Sequence, residues 1–170
     1  MVDDTSHPNE CCKCRIYLAG PLFSQAERSF NELLASRLAP FASVYLPQRD
    51  GGLMSEMISA GVPAEVAARR VFHRDVEALR RADCIVAILD GRTIDEGVSF
   101  ELGIGFSSEK RCVGLQTDTR RLAMWGNNPM ITGALDAVFP TVEDLVEWVM
   151  TEAATRATAH AGIDLQHQEA

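Results

Sequence analysis

An apolar run, Cys84-Ile85-Val86-Ala87-Ile88-Leu89, ends abruptly at Asp90 and constrains the fold more than any other segment. With no polar residue inside it, the run reads as a buried strand. A short loop, Gly91 to Asp95, leads into Gly97-Val98-Ser99-Phe100-Glu101-Leu102-Gly103, which continues as the apolar Ile104-Gly105-Phe106. That continuation is the pattern of a helix packed on a sheet. The unit is strand, loop, helix, and it places Glu101 in the first turn of the helix, just beyond the carboxyl end of a central strand. Open α/β sheets bind ligands at that edge. A helix N-terminus carries about half a positive charge, so the sequence predicts an ionised carboxylate at position 101. An ionised, aimed carboxylate attacks carbon as a nucleophile. Taken alone, the residue serves equally well as a plain complement to the helix dipole.

The same alternation runs along the chain. Strands are predicted over 14–19, 42–46, 84–89, 111–116 and 137–139. Between them, Ser24 with Glu27 three residues later forms a capping box for a helix over 25–38, which Pro40 ends. A short helix is expected over 54–61, another from Pro63 to about Arg81, and one over 98–107. Residues 129–135 are read as helical, and Thr141 caps a last helix whose periodicity fades near Thr155. Alternating strands and helices give a three-layer α/β domain, flavodoxin- or Rossmann-like, with a five-stranded parallel sheet and right-handed crossovers. One domain is expected over 14–150, with loose termini at 1–13 and 155–170.

The net charge of -8 argues against a nucleic-acid polymer as partner, because such binding needs basic surface to neutralise phosphates. No apolar stretch is long enough for a membrane span, and Met1 to Glu10 lacks the apolar core of a signal peptide. A cytoplasmic location is the default expectation. Of the five cysteines, Cys84 and Cys112 sit in strand-like runs and read as small buried hydrophobes. Cys11, Cys12 and Cys14 have no second Cys/His pair at metal-site spacing, so neither a metal nor a cofactor is expected.

Loops at the carboxyl edge of the sheet gather the polar residues. The first offers Gly20, Pro21 and Phe23, the second Gln48, the third Asp90, Asp95 and Glu101, and the fourth Asn127 and Asn128. Asp75 precedes the third strand on a helix that faces the same cleft. Several acids, an aromatic ring, an amide and a tyrosine suit a neutral, ring-containing ligand with hydroxyls better than an anion. Each has a plainer reading. Asp75 pairs with Arg74 or Arg81 on a solvated face, Asp95 caps a helix, Tyr17 is a core ring with a satisfied hydroxyl, and Asn128 beside Pro129 marks a turn. His73, next to Asp75 in sequence, is read as structural.

Four strings, taken together, carry a family resemblance. They are Ile16-Tyr17-Leu18-Ala19-Gly20-Pro21-Leu22-Phe23, Tyr45-Leu46-Pro47-Gln48, Asp75 to Asp83, and Asp95-Glu96-Gly97-Val98-Ser99-Phe100-Glu101-Leu102-Gly103. In order and spacing the chain resembles the nucleoside 2-deoxyribosyltransferase family over roughly residues 14–150. The resemblance implies that Glu101 is the nucleophile attacking the anomeric carbon of the deoxyribose. Asp75 is implied as proton donor to the departing base, Asp95 as holder of sugar hydroxyls, and Tyr17 as the residue orienting the nucleophile. Phe23 and Gln48 match base-pocket residues, and Gly20 belongs to the same pocket. Asn128 resembles an asparagine that reaches the sugar in a neighbouring subunit's site, which implies a homodimer or larger assembly.

The implied ligands are a 2′-deoxyribonucleoside and a free nucleobase, in nucleoside salvage, with purines the first expectation. The chain departs from some members in lacking a tyrosine near its C-terminus, since its only tyrosines are Tyr17 and Tyr45. Two other activities stay open. Related N-glycoside hydrolases act on nucleoside 5′-monophosphates, but they carry a serine where this chain has Asp95, and a carboxylate there repels a phosphate. The other is a nucleotide-signal binder without catalysis, since fold does not fix function.

Overall fold

In the computed structural model, which describes residues 13–120 and 126–167, a single sheet is built from β1 (Cys14–Ala19), β2 (Ala42–Tyr45), β3 (Cys84–Ile88), β4 (Arg111–Leu115) and β5 (Ala137–Phe139). The strand order is β2-β1-β3-β4-β5, and every neighbouring pair is parallel. The helices are α1 (Gln25–Leu38), α2 (Met54–Ser59), α3 (Ala64–Arg81), α4 (Glu96–Ser107), α5 (Pro129–Thr132) and α6 (Val142–His167). One π-helical turn, Pro47–Gly51, lies between β2 and α2. This is the expected α/β fold, in the flavodoxin-like order whose direction reverses between β1 and β3. The crevice at that reversal is the ligand site of such sheets.

Side chains alternate across each strand, and that parity sorts the core into two halves. Ile16, Leu18, Val86, Ile88, Val113 and Leu115 pack with Leu34 and Leu38 of α1 and with Leu145 and Val149 of α6. Tyr17, Ala19, Ile85, Ala87 and Cys112 face the other way, onto Leu79 of α3 and Val98 and Leu102 of α4. Tyr17 is thereby committed to the layer that carries Asp75 and Glu101.

The capping box of α1 forms as predicted. Ser24 Oγ accepts from the Glu27 amide at 3.2 Å, and the Glu27 carboxylate accepts from the Ser24 amide at 2.7 Å. Helix α4 differs from expectation. The Asp95 carboxylate accepts from the amides of Gly97 and Val98 at 2.9 and 3.1 Å, so the helix starts at Glu96 rather than Val98. Glu101 therefore stands in the second turn, not the first. Further along, Gly105 lets α4 lie close on the sheet: a Cβ there would come within 2.6 Å of Ile85 Cγ1 and 3.0 Å of Cys112 Sγ.

Helix α6 runs on to His167, past the fading of its periodicity near Thr155. Its later part is rich in alanine, the strongest helix former. Cys14 opens β1 and is buried, as are Cys84 and Cys112. Burial raises all three thiols, Cys112 to about 11, which keeps them protonated and unreactive. Cys11, Cys12 and the loop residue Trp125 lie outside the described residues. Among those described, no helix is long and apolar enough to cross a membrane.

Candidate active site

A cavity of about 280 Å³ opens at the carboxyl ends of β1 and β3. Gly20, Leu22 and Phe23 enter it from the loop after β1, and Pro47, Gly52 and Leu53 from the segment after β2. Met54 opens α2 on one side, Val71 and Asp75 come from α3, and Asp95, Gly97, Val98 and Glu101 close it from α4. One wall is apolar and the other carries three carboxyl groups. Among the described residues, not one lining side chain is cationic.

Glu101 is held by Tyr17, whose hydroxyl donates to Oε1 across 2.5 Å. Desolvation in the cleft pushes the Glu101 carboxyl up to about 8, and the charges of Asp75 and Asp95 push in the same direction, against the Tyr17 hydrogen bond. Burial therefore works against the ionised carboxylate expected from the helix position. The helix dipole acts mainly within the first turn, and Glu101 lies one turn further in, where burial outweighs it. The Tyr17 phenol is itself fully buried and raised far above the usual range, so it stays a neutral donor.

Asp75 is half-buried and accepts from the Tyr45 hydroxyl at 2.9 Å on Oδ1. Desolvation raises its carboxyl, opposed by the Tyr45 hydrogen bond and the charge of Arg74. The solvated, ion-paired reading of Asp75 is not realised: the carboxyl is half-buried on Tyr45, Arg74 donates to the Gly51 carbonyl, and Arg81 pairs with Glu77. Tyr17 and Tyr45 stack, with ring centroids 5.4 Å apart and planes 19° apart. They are register partners on β1 and β2, so two neighbouring strands each deliver one phenol to one carboxyl group.

Asp95 combines both of its readings, capping α4 while lining the cleft. Phe23 stands at the rim with 77% of its surface exposed. Gln48 turns away from the cavity, toward α1. Its Oε1 accepts from Asn31 at 3.0 Å, and its Nε2 donates to the Arg28 carbonyl at 3.0 Å and to Glu32 at 3.1 Å. Asn128 caps α5 by accepting from the Met130 amide at 2.9 Å, and with Met130 it lines a separate hollow of about 270 Å³. Asp90 accepts from the Thr117 hydroxyl and the Asp118 amide, Asn127 exchanges hydrogen bonds with Gln116, and His73 packs edge-on to Phe72.

Two features escape sequence reasoning. The apolar wall of Leu22, Leu53, Met54 and Val71 comes from segments with no shared motif. Tyr45 reads as a strand residue, and only the strand register reveals its pairing with Asp75.

A buried carboxyl held by a phenol, beside a second carboxyl whose hold on a proton burial strengthens, is equipped for nucleophilic attack with proton donation to a leaving group.

Solved structures repeat this architecture. A conserved protein of Enterococcus faecalis V583 is 27% identical, with a TM-score of 0.62 over 82% of this chain and 99% of its own. The 2-deoxyribosyltransferase of Bacillus psychrosaccharolyticus is 23% identical, with a TM-score of 0.63 over 78% of this chain and 90% of its own. A 2-deoxyribosyltransferase of Leishmania mexicana is 21% identical, with a TM-score of 0.60 over 81% of this chain and 97% of its own. No curated protein sequence matches the chain. The sequence profile of the nucleoside 2-deoxyribosyltransferases matches residues 16–161, and the chain therefore belongs to the nucleoside 2-deoxyribosyltransferase family.

Proposed function

We propose that this protein exchanges the nucleobase of 2′-deoxyribonucleosides through a covalent deoxyribosyl ester on Glu101. The observation that carries the reading is the Tyr17–Glu101 pair, buried at the β1/β3 reversal and facing a cleft that also holds Asp75 and Asp95. In the first half-reaction the Glu101 carboxylate bonds to C1′. The C1′–N bond breaks, its electron pair leaves with the base, and the carboxyl proton of Asp75 goes to the base nitrogen. The transition state is oxocarbenium-like, as in O-glycoside cleavage, so a carboxylate beneath the ring stabilises it. In the second half, a nitrogen of the incoming base attacks C1′, its proton passes to Asp75, and Glu101 departs as a carboxylate. Water in place of the base gives hydrolysis. Asp95 holds sugar hydroxyls, and Phe23 and Gly20 bound the base.

The uncharged substrate follows from the lining. Three carboxyl groups, with no cation beside them among the described lining residues, repel a 5′-phosphate at short range. The assembly is a homodimer or larger, in which Asn128 serves a neighbouring cleft. In support, Asn128 lies off its own cleft, next to Met130, which is 81% exposed.

Incubation with deoxyinosine and free adenine tests the reading, with deoxyadenosine as the expected product. Omitting adenine measures hydrolysis. Faster turnover of a deoxynucleoside 5′-monophosphate than of the free deoxynucleoside overturns the substrate assignment. Tight nucleoside binding with no turnover of either kind reassigns the protein as a binder.

A further inference from the structure

The mechanism gives Tyr17 a role but leaves its stacked partner unused. Tyr45 repeats the Tyr17 arrangement one strand over, donating its hydroxyl to Asp75 Oδ1 at 2.9 Å. Among the described residues, Oδ2 of Asp75 has no hydrogen-bond donor. The π-helical turn closes the other side of the pair. A Cβ built on Gly51 would come within 2.4 Å of Asp75 Oδ1 and 3.0 Å of Tyr45 Oη. Backbone without a side chain is thus the only arrangement that lets the turn pack against the pair as it stands. The phenol cannot swing freely, because its ring stacks on Tyr17 at 5.4 Å.

We propose that Tyr45 is the positioning residue for proton transfer at the base: it pins Oδ1 of Asp75, so that Oδ2 carries the proton to the departing nitrogen and recovers it from the incoming one. This rests on the reading of Asp75 as the base-side acid. When Asp75 is protonated on Oδ2, Tyr45 still donates to Oδ1, so one geometry serves both half-reactions. When Asp75 is ionised, the same bond stabilises the charge and limits how far burial raises the group. Gly51 belongs to the device as the wall that keeps the pair together.

A simpler role for the hydroxyl is to satisfy a half-buried phenol. A double-mutant cycle separates the two. Tyr45→Phe keeps the ring and stack while removing the donor. General acid catalysis is worth about 10²–10⁴-fold, and misplacing the acid forfeits part of it. The expected loss in kcat for base exchange is about tenfold or more, with KM within about twofold. The limb of the kcat profile set by the Asp75 proton moves to higher pH, because the Tyr45 bond that holds this carboxyl down is gone. In an Asp75→Asn background the same substitution has no further effect on kcat.

Losses that multiply in the double variant, or an unchanged Tyr45→Phe enzyme, overturn the proposal. If Tyr45→Phe does not fold, Gly51→Ala replaces it in the cycle with the same expected non-additivity, since its methyl displaces the Asp75 carboxyl. A wild-type protein that exchanges no base overturns the proposed function instead, and the two failures are told apart by that control.

Discussion

Tyr17 and Glu101 meet hydroxyl to carboxyl across 2.5 Å, although 84 positions of sequence separate them. Two independent facts produce the contact. Strand parity turns Tyr17 to the α3/α4 side of the sheet, and Asp95 fixes where α4 begins and hence where its second turn falls. The Glu101 carboxyl is thus set by regular elements, which hold geometry better than loops do.

Glu101→Gln abolishes exchange while strengthening the fold. Glu101 loses its proton near 4.5 in the unfolded chain but near 8 in the folded one. Between those values the folded state holds the extra proton, so stability falls as pH rises from 4.5 through 8. A neutral amide removes that penalty. Exchange falls by at least about 10³-fold, and Tm rises at pH 8, by about 2–4 °C for each kcal/mol gained. A variant that retains activity, or one that melts lower at pH 8 than the parent, contradicts this account.

Tyr17→Phe moves the acid side of the pH profile. The Tyr17 hydrogen bond opposes the rise of the Glu101 carboxyl. With the hydroxyl gone, the group titrates higher still, and less of it is ionised at neutral pH. In the parent enzyme, kcat/KM for a deoxynucleoside climbs as pH approaches about 8. In the variant that limb shifts upward and activity at pH 6 drops by more than activity at pH 9. Parallel profiles displaced only in height would show that Tyr17 does not govern ionisation of the nucleophile.

Gly105→Val tests how closely α4 must lie on the sheet. A Cβ at 105 already meets Ile85 Cγ1 at 2.6 Å, and valine adds two methyls beyond it. Overpacking costs about 1–3 kcal/mol, and the gain from replacing a helical glycine is at most a few tenths for a β-branched residue. The overpacking term wins, and Tm falls by about 2–12 °C, at about 2–4 °C for each kcal/mol. Because Glu101 rides on the same helix, exchange activity falls with it.

Much of this was legible in the chain. The Cys84–Leu89 run and the Ser24/Glu27 box forecast β3 and the start of α1, because both signals are local. The start of α4 was misplaced because several acids precede it, and only the structure shows which side chain reaches the free amides. The upward push on the Glu101 carboxyl was not legible, because burial belongs to the assembled cleft, not to the helix. Gln48 faces α1 because Asn31, Arg28 and Glu32 lie there, and no spacing rule encodes that. Tyr45 needed the β1/β2 register to be matched with Tyr17.

Asp95→Asn separates the two duties of that side chain. Asparagine is as good an N-cap as aspartate, so α4 keeps its start and Tm stays within about 2 °C of the parent. Two consequences follow for activity, with opposite signs. The charge of Asp95 raises the Glu101 carboxyl, so its removal lowers the pH at which the nucleophile ionises. The charge-assisted hold on the sugar hydroxyls proposed for Asp95 is lost as well, at about 1.5–3 kcal/mol for such a bond. The second effect is larger at pH 8, where Glu101 is already half ionised, so kcat/KM falls there by about tenfold or more. At pH 6 the two effects oppose, and the deficit shrinks. Asp95→Ala loses the cap too and melts lower by a further ~1 kcal/mol. A pH-independent deficit in the asparagine variant would mean that Asp95 acts on the sugar alone and does not tune Glu101.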